Sequence, residues 1–231
     1  TVNDVVAITA EAKAAGATVV IDGAQAAPRM PLDMAAIGAD FYGATGHKLY
    51  GPTGIGVLWG RRELLDGMGP FEGGGSMIGK VTKDNITWAA VPTRFEAGTP
   101  PIAEAVGLGA AVEWMKGVGL ENIGAHERAL SSYALPLLAE VPGMKIFGPG
   151  DDEDREGIIS VELEGVPPHD VSEILDRHGV AVRAGHHCAQ ILMDRLGVPA
   201  TTRASFAVYN TTEEVDRMID ALNDARRIFE L

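Results

Sequence analysis

The sequence predicts an α/β protein whose C-terminal part changes texture into a smaller α+β unit. Three observations carry that expectation. Short apolar runs alternate with stretches of helical spacing over the first hundred residues, as in a sheet wound with helices. The acid of "VVID" and the lysine of "TGHK" fall just after two such runs. Beyond Pro142–Gly143, four short β-rich runs are separated by three amphipathic segments.

The elements follow in order. Residues 4–15 show helical apolar spacing, with Asn3 as N-cap and Gly16 as the stop. "ATVVID" then reads as a buried strand over 17–21. A short helix near 32–37, a strand over 39–44 and a strand over 55–59 follow. The run "GMGPFEGGGSMIGK" (67–80) is too rich in glycine for a regular element and is expected to be a mobile loop. Two prolines precede a helix over 102–116, and a second helix spans roughly 120–140. The acidic run "DDEDRE" (151–156) is expected to be a solvated loop.

In the C-terminal part, "MKIFGP", "GIISVELEG", "GVAVRAG" and "RASFAVYN" are the strand candidates. Helices are expected over 168–178, 188–196 and 212–229, the last opened by Thr211 and Glu214 in capping-box spacing. The expected division is a C-terminal portion of a large domain over 1–105, then linking helices and a small C-terminal domain over 106–231. A helix feeding a strand normally follows an earlier strand, and here the sequence opens on the helix. The expectation is therefore an N-terminally truncated fragment.

Composition narrows the function. A formal net charge of −13, with no concentrated basic stretch, argues against a nucleic-acid binder. No apolar run approaches the roughly 20 residues that span a bilayer. A single cysteine excludes an internal disulfide and favours a reducing, cytoplasmic setting.

Chemistry concentrates in two places. In an open α/β sheet, functional groups gather beyond the carboxyl ends of the strands, where Asp22 and Lys48 both fall. Taken singly, such an aspartate is commonly a turn or cap residue and such a lysine is commonly solvated. As a pair they match what pyridoxal phosphate requires: an amine to bond the cofactor and a carboxylate to hold its pyridine nitrogen protonated. Gln25, three residues after Asp22, is a candidate for the ring's phenolic oxygen, and His47 is either a cofactor contact or a ring satisfied by backbone. Cys188 sits in "RAGHHCAQ" before a helix. A lone cysteine is commonly inert, yet a helix N-terminus and neighbouring cations favour the nucleophilic thiolate. "HHC" also invites a metal reading, but no further cysteine or spaced carboxylate cluster completes a coordination set, so no metal is expected.

"DGAQA", "TGHK", "LYGPTGIG", "EGGGSMI", "RFEAGTP", "VRAGHHCAQ" and "RASFAVYNTTEEVD" together resemble, in order and spacing, the SUF-type (group II) cysteine desulfurases. These are class V aminotransferases with the type I fold of pyridoxal-phosphate-dependent transferases. "GPTGIG" alone would be weak, and it lacks the Lys-Ser/Thr ending of a phosphate loop.

The resemblance implies pyridoxal 5'-phosphate as cofactor, with Lys48 as the lysine bonded to it, Asp22 at the pyridine nitrogen and Gln25 at the phenolic oxygen. It implies Thr45 and His47 as phosphate contacts. Gly98 and Thr99 would reach the phosphate bound to the other subunit, which implies a homodimer. Arg203 would grip the substrate carboxylate, with Arg183 nearby, and Cys188 would accept sulfur as a persulfide. The implied reaction takes L-cysteine to L-alanine and hands sulfur to an acceptor protein of the SUF system for iron–sulfur cluster assembly. The loop 67–80 is a candidate docking surface for that acceptor. Alternatives are a selenocysteine lyase acting on L-selenocysteine, a sister enzyme of kynureninase, phosphoserine-aminotransferase or epimerase type, and an inactive fragment.

Overall fold

The computed structural model describes residues 1–150 and 155–231. The chain forms two compact units, one of Asp4–Glu121 and one of Thr1–Asn3 with Asn122–Leu231.

In the first unit, α1 (Val5–Ala14) is capped by Asp4, whose carboxylate accepts from the Ala7 N–H at 2.9 Å; the expected cap, Asn3, lies one residue outside. Gly16, with φ 80°, ends the element as anticipated. Strand β1 (Val20–Asp22) pairs in parallel with β2 (Phe41–Thr45), so Asp22 stands opposite Gly43. Between them lies α2 (Met34–Ile37), started by the Asp33 carboxylate on two backbone N–H groups. β3 (Gly56–Gly60) runs antiparallel to β2 and completes a three-stranded sheet.

α3 (Arg62–Gly67) follows directly, a short helix the sequence reading did not assign. The glycine-rich run is only partly the loop expected. Met77 is fully buried, and residues 78–81 form β4 (Ile78–Val81), hairpinned to β5 (Ile86–Trp88). The Arg94 guanidinium closes this region by donating to the carbonyls of Asp66, Met68 and Ala89. α4 (Ile102–Val118) ends the unit.

α5 (Leu120–Glu140) leads into the second unit, a four-stranded antiparallel sheet of β6 (Met144–Phe147), β7 (Ile158–Leu163), β8 (Arg183–Gly185) and β9 (Thr201–Ser205) in the order β6-β7-β9-β8. Ile159, Val161 and Leu163 of β7 are buried, and the residues between them less so, the period-two pattern of a sheet covered on one face. That face packs on α5, α6 (Pro168–Arg177) and α8 (Thr212–Ile228), whose Leu138, Val171, Leu175, Ala221 and Leu222 are at most 1% exposed. α7 (Gln190–Leu196) is a short helix after the cysteine. The anticipated capping box is present, with the Thr211 N–H donating to Glu214 at 3.2 Å.

Two strand expectations move. "GVAVRAG" supplies only its last three residues to β8, and "RASFAVYN" only its first three to β9, which begins earlier at Thr201. Of "DDEDRE", residues 151–154 lie outside the described residues. Arg155 and Glu156 are not solvated: Arg155 is 2% exposed and donates to the carbonyls of Phe147, Pro149 and Ile158, while Glu156 pairs with Arg128 at 3.0 Å. A guanidinium with five donors can be buried where backbone carbonyls converge on it.

Candidate active site

The carboxyl edge of the parallel pair β1–β2 gathers one set of predicted residues. β1 ends at Asp22, whose side chain is exposed at that edge and accepts from the Ala24 N–H at 3.0 Å. This leaves its other carboxylate oxygen without a hydrogen bond among the described residues. Gln25 follows on the same turn, its amide oxygen taken by Arg29 at 3.0 Å, which leaves the amide N–H groups to donate elsewhere. β2 ends at Thr45, where a 3₁₀ turn over Gly46–Lys48 begins. The Thr45 hydroxyl and the exposed His47 ring lie 3.0 Å apart. Lys48 is half-buried, and its Nζ makes no ion pair or hydrogen bond among the described residues.

The turn carrying Lys48 is fixed from behind. A Cβ on Gly46 would meet Ile55 and the Pro52 carbonyl at 2.8 and 2.9 Å. Gly51 packs against Leu108 and Ala111 of α4, and Tyr50 makes an edge contact with Trp114 at 5.2 Å. Gly98 donates its N–H to Gly75 at 2.9 Å, so "EAGTP" and the glycine-rich run meet; Thr99 beside it is exposed.

The second unit holds the other set. β8 and β9 pair so that Arg183 stands directly opposite Arg203, a cross-strand pair of like charges. Cys188 is exposed in the turn after β8. His187 and Cys188 both have left-handed backbones, at φ 54° and 64°, a conformation costly for residues with a Cβ.

The same His187 pins that turn to β9. Its Nε2 lies 3.1 Å from the Thr201 carbonyl and 2.9 Å from the Thr201 hydroxyl. A carbonyl only accepts, so Nε2 carries the proton. Burial first, then the positive charge of Arg203, with Arg183 adding to it, holds His187 below the ordinary histidine value and keeps the ring neutral. Sequence reasoning considered "HHC" only for cations and metal. Nothing in the sequence signals Thr201, which is fully buried and lies 14 residues from His187. Among the described residues, no group of three or more His, Cys, Asp or Glu side chains is placed to hold a metal ion, and no helix is long and apolar enough to cross a membrane.

The mixed α/β sheet with a helix-backed antiparallel sheet is the type I fold of pyridoxal-phosphate enzymes. Residues 1–218 match the model of the class-V aminotransferase family, and the chain belongs to that family. It is 53% identical over 99% of its length to a probable cysteine desulfurase of Streptomyces coelicolor, and 50% identical over 99% to a cysteine desulfurase of Haloferax volcanii. Among solved structures it resembles a cysteine desulfurase from Escherichia coli, with a TM-score of 0.92 and 40% identity over 97% of the chain. The chain spans about half the length of these relatives, 55%, 54% and 55% respectively.

Pyridoxal phosphate is the cofactor of this family, and the residues at the β1–β2 edge fit it. Among the described residues they present an unpaired amine, a carboxylate with a free oxygen, an amide with free donors, and a hydroxyl beside an imidazole.

Proposed function

We propose that the parent protein is a pyridoxal-phosphate-dependent cysteine desulfurase of the SUF type (group II), taking L-cysteine to L-alanine and leaving sulfur as a persulfide on Cys188. Cys188 carries this reading: it is an exposed thiol on a pinned turn beside opposed arginines, a feature the sister enzymes of the family do not need.

Bound at the β1–β2 edge, the cofactor would supply an electron sink for the charge that develops at the substrate's Cα. Lys48 Nζ would hold the cofactor and would be the base that carries the substrate's Cα proton. Asp22 would hold the proton on the pyridine nitrogen, and Gln25 would donate to the phenolic oxygen. Thr45 and His47 would hold the phosphate, with Gly98 and Thr99 serving the phosphate bound to a second subunit. Arg203 grips the substrate carboxylate in the bidentate manner of a guanidinium, assisted by Arg183. The Cys188 thiolate attacks the substrate sulfur, the Cβ–S bond breaks, and Cβ takes a proton. L-cysteine and one thiol give L-alanine and one persulfide, with no outside oxidant or reductant.

The remaining parts of the reading are a homodimer, a sulfur-acceptor protein that collects the persulfide, and a cytoplasmic location. Residues 1–105 would belong to the large domain and 106–231 to the linking helices and small domain.

The test uses the full-length parent. Cys188→Ala is expected to abolish persulfide and alanine formation while the cofactor's visible absorbance persists. Continued sulfur release by that variant would remove the thiol from the reaction.

A further inference from the structure

We propose that Tyr42 is a positioning residue for the cofactor-facing turn, its ring forming the floor on which the Asp22–Gln25 segment rests. The proposal deepens the pyridoxal-phosphate reading above and rests on it. Tyr42 lies on β2 opposite Ile21, one residue before the end of β1, and is 4% exposed. Its ring occupies the space a side chain at position 23 would need. An ideal Cβ on Gly23 would stand 1.8 Å from the ring carbon Cζ, 2.0 Å from the hydroxyl and 2.2 Å from Cε1. Glycine is therefore required by the close approach of the ring, not by an unusual φ.

The backbone around Gly23 shows what the ring supports. The Gly23 N–H donates to Gly43 at 2.9 Å, extending the β1–β2 ladder by one residue. The Gly23 carbonyl accepts from Ala26 and Ala27 at 3.0 and 2.9 Å, and the Tyr42 hydroxyl approaches it at 3.4 Å. The two peptide groups of Gly23 thus fix the start of the turn that carries Asp22 on one side and Gln25 on the other. A phenol at 3.4 Å is a weak donor, so the ring's bulk, more than its hydroxyl, sets the height of that turn. Burial, and then the Asp22 charge, push the phenol above its ordinary value, so it stays neutral beside the carboxylate.

Displacing this turn by the ångström or more that a Cβ at position 23 demands would misplace the carboxylate and the amide together. Misplacement on that scale costs on the order of a hundredfold in reactions that depend on alignment.

The experiment titrates pyridoxal phosphate into the full-length apoprotein, reading Kd from visible absorbance and thermal stability separately. Tyr42→Phe keeps the ring and is expected within about threefold of the parent Kd, a rescue by the conservative variant. Gly23→Ala is expected to weaken binding at least tenfold, roughly the scale of one lost polar contact. The double variant Gly23→Ala/Tyr42→Ala removes the overlap, and is expected to recover part of that affinity while being less thermally stable than either parent or Tyr42→Phe. Parent-like affinity in Gly23→Ala, or a double variant no better than Gly23→Ala, overturns the proposal. Where the double variant does not fold, Gly23→Ala against Tyr42→Phe decides alone. Asp22→Asn separates the two levels: unchanged affinity and absorbance there would overturn the site reading itself and the positioning role with it.

Discussion

His187 does for the thiol's turn what Tyr42 does for the carboxylate's. Two successive left-handed residues cost free energy, and the contacts of the His187 ring with Thr201 offset it. His187→Ala in the parent is expected to slow persulfide formation about tenfold or more, as the turn loses its tether, while leaving cofactor absorbance in place. Equal losses of cofactor and persulfide would assign the residue to general stability instead. The pH dependence has a definite sign. The folded-state value lies below the histidine reference of 6.5, so the unfolded chain binds the proton more readily. The stability contributed by the neutral ring is present above about 6.5 and is lost as pH falls below it. A thermal-unfolding pH series on parent and His187→Gln should show the parent losing more stability across that range.

At the scale of elements, Asp40 joins α1 to the sheet. Its carboxylate pairs with Lys13 and lies 3.4 Å from Arg61, and it accepts from the Val19 N–H at 2.9 Å, at the start of β1. The hydrogen bond from Lys13, then that from Val19, holds its carboxyl below the usual range, although burial acts the other way. A depressed carboxylate stabilises the fold above its unfolded value near 3.8 and loses that contribution as pH falls through the folded value. Asp40→Asn is expected to lower the unfolding temperature at pH 7 and to narrow the gap to the parent below about pH 4. A gap that widens in acid would contradict the assignment. Asp22 and Lys48 were readable at this scale because strand ends are marked by a change from apolar run to glycine-rich turn. The hairpin of β4 and β5 was not, because glycines at 73–75 and 79 mask a strand pair whose side chains are all exposed.

At the scale of the molecule, the two units differ in how well they cover their apolar surface. The antiparallel unit encloses one continuous core, with Ile159, Ala221 and Ala225 fully buried. In the first unit, Val20 is 65% exposed, Leu58 66% and Val106 71%, more apolar surface than an isolated domain ordinarily presents. The 231-residue chain is expected to bind an apolar dye and to elute above its monomer mass of 24.3 kDa, with a charged substitution such as Leu58→Glu reducing both. A monodisperse, dye-silent monomer would contradict this.

The sequence alone determined the α/β class, the order of most helices and strands, and which chemical groups to look for. Those properties follow from local periodicity and from residue types that few other tasks require together. The close approach of Tyr42 to Gly23, the opposition of Arg183 and Arg203, and the hold of Thr201 on His187 were decided only by tertiary structure. Each joins residues 14 to 20 positions apart through strand register or side-chain packing, and neither leaves a local pattern in the chain.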